Sequence, residues 1–413
     1  MKITGIIAEY NPFHNGHEYH IQKTRLETGC DYVVVILSGD FTQRGIPAFI
    51  NKHIRAKMAL LCGADLVIEL PTLYSCSSAP YFSLGGVSLL NSLNCIDYLS
   101  FGSEVGDINL LKEISYMISN ENSDFQDIIK RELRTGNSFP KAFSNAFSEL
   151  YCDKSEYINI ISSPNNMLGI EYIKALDFLG SKIQPFTIKR EGAAYLDDKL
   201  DSKKSSAQAI RTAIFQKGSL DITKEQLPHD IYALLTNSYQ KIFPIELDDF
   251  SDLLLYKLIN TKNNDYTNFL DINNSLSNKI KNNIDKYTTL SEFANLIKTR
   301  EYTYARICRC LLHILLDIET QHLHSPNTNQ IILPKYARIL GFNKNSSKLL
   351  SEINDKTQIP LISKLSNATK LLDNDSLEML NIDIHASNIY HIAPTNKYSA
   401  KYYNAYKENI IIL

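Results

Sequence analysis

Residues 3–20 read Ile3-Thr4-Gly5-Ile6-Ile7-Ala8-Glu9-Tyr10-Asn11-Pro12-Phe13-His14-Asn15-Gly16-His17-Glu18-Tyr19-His20. The apolar run from Ile3 to Ala8 predicts a buried strand. Asn11-Pro12 predicts a tight turn, and a helix is expected from His17 to Thr28, stopping at Gly29. A strand, a turn carrying two histidines and a helix start make an anion-binding corner. Free backbone N–H groups and the positive end of the helix dipole meet there. Gly16 lets the backbone approach a ligand closely, and the His14-x-Gly16-His17 spacing lets both imidazoles aim at one point. A nucleoside triphosphate, its α- and β-phosphates under the histidines, suits this corner. Two histidines opening a helix by chance is the competing reading, and the preceding strand and Asn-Pro turn weigh against it.

Outward from this corner, strand and helix signals alternate. Tyr32–Leu37 is a continuous β-branched and aliphatic run, the mark of a strand covered on both faces. Further strands are expected at Asp65–Leu70, Tyr98–Phe101 and Gln184–Lys189. Helices are expected at Lys52–Cys62, Ala79–Leu93 and Leu168–Leu179. Such alternation predicts an α/β fold with right-handed crossovers and a Rossmann-like parallel sheet. Ligands in these sheets bind beyond the carboxyl ends of the strands. Tyr10–His17, Ser38–Gly45 and Gly102–Glu104 all fall at such ends. Ile108–Tyr151 reads as a helical insertion, and Ser162–Asn166 as a loop. From about Ser219 the glycines thin out, and Glu225–Leu323 reads as a helical bundle. A small α/β appendage follows from Ile331. The expected organisation is therefore a catalytic domain over residues 1–218 and a mainly helical domain over 219–413.

Composition is that of a soluble globular protein. Of 413 residues, 44% are hydrophobic and 21% charged, and the net charge is -2. No long-range field attracts nucleic acid, so an RNA partner needs a local basic surface. The seven cysteines are scattered, which suits reduced thiols in a cytoplasmic protein. No run reaches the ~18–20 apolar residues that span a bilayer, and the N-terminus lacks a secretory pattern. Membrane association is not expected. No metal site is expected either, because His14, His17 and His20 lack a zinc-like spacing and a further ligand group.

Other segments carry chemistry. Ser202-Lys203-Lys204-Ser205-Ser206-Ala207-Gln208-Ala209-Ile210-Arg211 is a hydroxyl- and cation-rich loop entering a helix, suited to β- and γ-phosphates. A plain capped helix start fits the same residues. Lys189 and Arg190 follow the last expected strand and face the nucleotide from the other side. Asn165 is placed to read a base edge or ribose, or to make an Asx turn. Arg44 is suited to a bidentate contact with a small carboxylate on the acceptor side, and Asp40 beside it to the same side or to a cap.

The stretches AEYNPFHNGH and SAQAIR resemble the H-x-G-H nucleotidylyltransferase superfamily. SGDFTQRG, KHIRAKMALLCGADLVIELP, FGSE, SSPNNMLGIEYIKAL, IKREGAAYLD and PKYARILGFN are similar, in that order, to the tRNA(Met) cytidine acetate ligase family. The resemblance is dense over residues 1–215. It implies a nucleotidylyltransferase-type domain that uses ATP, with Mg2+ accompanying it, to convert acetate to acetyl-adenylate. The acetyl group then passes to N4 of the wobble cytidine of elongator tRNA(Met). It implies catalytic roles for His14 and His17, and an ATP site formed by Ile7 to His20, Gly102, Asn165, Arg190, Glu191, Ser206 and Arg211. Gln208 departs from the family pattern, in which Ser or Thr is common. The C-terminal region would hold the tRNA through Lys335, Tyr336, Arg338, Lys397, Lys401, Tyr402 and Tyr403, since lysines interleaved with tyrosines suit phosphate contact and stacking. A nucleotidylyltransferase acting on a small molecule without RNA, or a regulatory protein that only binds nucleotide, also fits the residues alone. The oligomeric state is not legible.

Overall fold

The structure is a computed structural model. It describes all residues except 121–122, 152–154, 191–199, 201–204, 262, 264 and 326–327. Strands β1 (Ile3–Ala8), β2 (Tyr32–Ser38), β3 (Leu66–Leu70), β4 (Tyr98–Ser103) and β5 (Gln184–Lys189) stand parallel in the order β5-β4-β1-β2-β3. The expected strands are all present, within a residue or two at their ends. In β2, Val34 and Ile36 enter one apolar layer while Val33, Val35 and Leu37 enter the other, so both faces of the sheet are covered. The Ala79–Ser92 helix lies on the first face and the Lys52–Leu61 helix on the second. A Cβ on Gly86 would meet Ile7 Cδ1 at 2.7 Å. The glycine therefore lets the Ala79–Ser92 helix press directly on β1.

The strand order reverses between β1 and β4. All six residues of β1 pair with β2, but only Thr4 and Gly5 pair with β4, opposite Tyr98 and Leu99. Beyond Gly5 the two strands are not bridged, which leaves a crevice at their carboxyl ends.

The C-terminal part departs from expectation. Helices do dominate residues 229–315, among them Ser251–Asn260 and Tyr304–Leu315. The region after Ile331, however, is no separate appendage. Its strand β6 (Ala337–Phe342) pairs antiparallel with β3, and β7 (Leu361–Ile362) and β8 (Ile411–Ile412) pair with β6. The last quarter of the chain thus completes the N-terminal sheet. The reason is burial: every residue of β3 is covered, and its one charged residue, Glu69, is met by Lys52 at 2.7 Å and by Arg338 of β6 at 2.9 Å. The Ile108–Tyr151 stretch forms the helices Ile108–Ser119, Ser123–Arg134 and Phe139–Leu150.

Candidate active site

The helix after β1 spans Asn15–Thr28, two residues earlier than expected, because His14 is its N-cap. His14 Nδ1 accepts from the Gly16 backbone N–H at 3.0 Å, and His17 Nδ1 accepts from the His14 backbone N–H at 3.2 Å. This is a reciprocal capping box built from two imidazoles in place of Ser/Thr and Glu. An acceptor Nδ1 carries no proton, so both rings are fixed as the tautomer with the proton on Nε2. The rings stack at 3.7 Å between centroids. Burial, with Arg190 and Arg211 nearby, pushes His14 down to about 3. Burial, the neighbouring His14 and Arg190 hold His17 well below the usual imidazole range. The pair therefore stands neutral at physiological pH, offering two Nε2–H donors. The turn before it is held open by Tyr10, whose φ of 49° is left-handed. That conformation costs ~1–2 kcal/mol, and the Tyr10 ring is held between Phe13 and His17, each 4.8 Å away.

A cleft of about 1090 Å3, partly open to solvent, lies at this crevice. From the first segment, Ile7, Ala8, Glu9, Tyr10, Asn11, His17 and His20 reach its wall. Gly102, Asn165, Arg190, Ser206 and Arg211 come to the same wall from four other elements, and Arg44 joins them. His14 is not on the wall. It is 6% exposed and stacks on His17. Pro12 and Phe13 are buried, and Gly16, Glu18 and Tyr19 lie off the wall. Asn15 faces elsewhere: its backbone and side-chain N–H groups donate to Gln226 and Glu225 carbonyls. His20 Nε2 sits 3.2 Å from Ser100 Oγ, and burial, with Arg190, lowers it to about 4.

Three expectations need correction. Asp40 does not face the cleft. It is buried, its Oδ1 caps Lys52 N at 2.8 Å, its Oδ2 accepts from Ser387 Oγ at 2.9 Å, and its charge is met by Lys52 Nζ at 3.6 Å. Asn165 and Asn166 are not in a loop. They open the Pro164–Phe178 helix, and Glu104 binds both: its Oε1 accepts from Asn165 Nδ2 at 2.6 Å and its Oε2 from Asn166 N at 2.8 Å. A carboxylate at a helix N-terminus is electrostatically matched. Tyr336 and Arg338 cannot touch RNA, because both are buried. Tyr336 donates to Asp383 Oδ2, and Arg338 pairs with Glu69 at 2.9 Å and Glu408 at 3.2 Å. Lys397 is engaged by Glu246 and Asp249, while Lys335, Lys401, Tyr402 and Tyr403 are exposed. Lys189 is off the cleft wall, its Cβ beside Gly106. Glu191 and the Ser202-Lys203-Lys204 part of the second motif lie outside the described residues.

Other residues carry the architecture unannounced. Arg55 is fully buried and donates to four backbone carbonyls: Glu9 and Ser38 through Nη1 at 2.7 and 3.1 Å, Gly39 through Nη2 at 2.5 Å, and Ile50 through Nε at 2.9 Å. It thereby ties the carboxyl ends of β1 and β2 together. Its signal was a cation one turn from Lys52 on an otherwise apolar helix face. Ser206 caps the Ala207–Lys217 helix by accepting from Ala209 N, and Gln208 Oε1 accepts from Arg44 Nη1 at 3.1 Å. The atypical glutamine thus joins the second motif to the 42–46 turn. Gly45, at φ +71°, would place a Cβ 2.3 Å from Arg309 N, so that turn sits tightly on the Tyr304–Leu315 helix. Among the described residues no group of three or more His, Cys, Asp or Glu could hold a metal ion, and the six described cysteines are free.

A doubly covered parallel sheet with an imidazole-capped helix at its switch point defines a nucleotidyl transferase. The sequence profile of the HIGH nucleotidyl transferase family matches residues 1–405, and the chain belongs to that family. Within it the chain falls among the tRNA(Met) cytidine acetate ligases. It is 42% identical to the protein of that name from Clostridium perfringens (strain ATCC 13124) over 97% of this chain and 98% of the relative. It is 40% identical to the one from Thermoanaerobacter sp. strain X514 over 96% of each. The crystal structure of apo Thermotoga maritima TmcAL superposes with a TM-score of 0.92 at 29% identity, covering 100% of both chains. The same protein bound to alpha-thio ATP superposes at 0.89 and 28%, again covering 100% of both chains.

Proposed function

We propose that this enzyme is an ATP-dependent ligase that joins acetate to AMP and then transfers the acetyl group to N4 of the wobble cytidine of elongator tRNA(Met). In the first step an acetate oxygen attacks the α-phosphorus, the bond to the β-phosphate bridge breaks, and pyrophosphate leaves. In the second, the cytidine amine attacks the acetyl carbonyl, AMP departs and the amine loses a proton. Neither step needs a protein nucleophile.

The observation that carries the reading is the His14–His17 capping box at the crevice. Its two Nε2–H donors suit the charge that grows on the α-phosphate and its leaving oxygen, because they are already oriented before that charge develops. Arg190 and Arg211 supply the opposing charge to the other phosphates, and the backbone at Gly102 accepts close approach of the nucleoside. His20, Asn165 and Ser206 complete the nucleotide wall. Glu9 and Glu104 are engaged by Gln43 N and by the Pro164–Phe178 helix start. Among the described residues no group of three or more His, Cys, Asp or Glu could hold a metal ion, so Mg2+ would travel on the phosphates themselves.

Incubating the protein with ATP, isotopically labelled acetate and tRNA, then digesting the RNA and weighing its nucleosides, tests the proposal. Label in N4-acetylcytidine is expected. Pyrophosphate release with no labelled nucleoside would move the enzyme to a small-molecule acceptor, and release of neither would remove the catalytic reading.

A further inference from the structure

A second cavity, of about 970 Å3 and partly open to solvent, is lined by Asn51, His53, Tyr390, His391, Lys401 and Tyr403, with Glu408 among them. None of these residues touches the nucleotide cleft. The two cavities are neighbours along the chain: Thr42 to Ile46 face the first, and Asn51 to Ile54 face the second.

Its lining is polar and aromatic. Glu408 is saturated: His391 Nε2 lies 2.9 Å and His53 Nδ1 3.3 Å from its Oε1, and Arg338 Nη2 lies 3.2 Å from its Oε2. One carboxylate thus faces a guanidinium and two imidazoles, and Lys401 adds a further charge. Tyr403 is 42% exposed, yet its ring is fixed, because its hydroxyl donates to Lys407 O at 2.5 Å. Asn51 Oδ1 is taken by Ile54 N, which leaves its amide N–H groups as the part it can offer. A held aromatic ring, a cation and amide donors around one partly open cavity match a single-stranded nucleotide.

We infer that this cavity holds one unpaired nucleotide of the acceptor RNA, distinct from the acetylated cytidine, with its base on Tyr403 and its phosphate at Lys401. The inference rests on the RNA-acetylating function proposed above. It places two RNA contacts on either side of the 42–54 segment, so the RNA would be gripped beside the residue being modified.

Binding of fluorescently labelled tRNA to the full chain, followed by anisotropy at several salt concentrations, tests it. Tyr403→Ala is expected to weaken binding roughly 5- to 100-fold, the range of one lost base stack. Tyr403→Phe keeps the ring and should bind like wild type. Lys401→Ala should lower the salt slope by about one ion. Acetate-dependent pyrophosphate release without RNA should be unchanged in all three. Wild-type affinity in Tyr403→Ala overturns the inference. Equal losses in Tyr403→Phe and Tyr403→Ala also overturn it, since the effect would then lie in the bond to Lys407. If wild type acetylates no RNA at all, the proposed function has failed instead, and the two failures are told apart.

Discussion

Replacing His14 separates its two jobs. His14→Ala removes the acceptor for Gly16 N–H, which was bonded at 3.0 Å, and leaves the reciprocal His14 N–H to His17 bond in place. Losing one N-cap costs about 1 kcal/mol, within a range of ~0.5–2. Losing one preorganised donor to a developing oxyanion costs ~10²–10³-fold in turnover. Asn is as good an N-cap as any residue, so His14→Asn should recover the stability while recovering none of the rate. The assays are urea unfolding followed by circular dichroism, and pyrophosphate release with ATP and acetate. His14→Asn at wild-type turnover would refute the role of the Nε2–H group. Equal stability of His14→Ala and His14→Asn would refute the cap.

Acid should weaken the fold through the same pair. A histidine held below its ordinary value stays neutral in the native state while the unfolded chain takes up a proton. Its contribution is full above about 6.5 and drains away as pH falls toward about 3, where His14 titrates. The slope is ~1.4 kcal/mol per pH unit for each such ring, and His14→Asn should flatten the acid limb of stability measured against pH. Arg190→Gln should let the His14 and His17 imidazole NMR signals titrate at higher pH, since Arg190 is among the charges holding both down. The same variant should raise the KM for ATP. Arg55→Met should lower stability by roughly 3–5 kcal/mol, because four buried carbonyls lose their donor at once. A urea midpoint near wild type would contradict the clamp.

The parallel core was legible because its strands are short apolar runs bounded by glycine and proline, and local patterns of that kind survive folding intact. The histidine-capped corner was legible for the same reason: His14, Gly16 and His17 lie within four residues of each other in sequence. What failed was everything set by distant partners. Asp40 looked available beside Arg44, but Ser387, nearly the whole chain away, claims it. Tyr336 and Arg338 looked like an RNA-facing pair, but Asp383, Glu69 and Glu408 bury them. Glu104 stood in a recognised stretch, yet its partner asparagines are a long insertion away. A charged residue announces only that it wants a partner, and the sequence does not say where that partner is.

The pairing of β6 with β3 has a consequence for how the protein is made. As the ribosome delivers the chain, β1 to β5 emerge long before Ala337–Phe342, and β3 meanwhile presents a row of unsatisfied amides and carbonyls. The sheet that carries the cleft is therefore unfinished until Ala337–Phe342 has been made. A product truncated ahead of Ala337 would carry every residue of the cleft wall and still be sticky, stacking with copies of itself in place of the strand it never received.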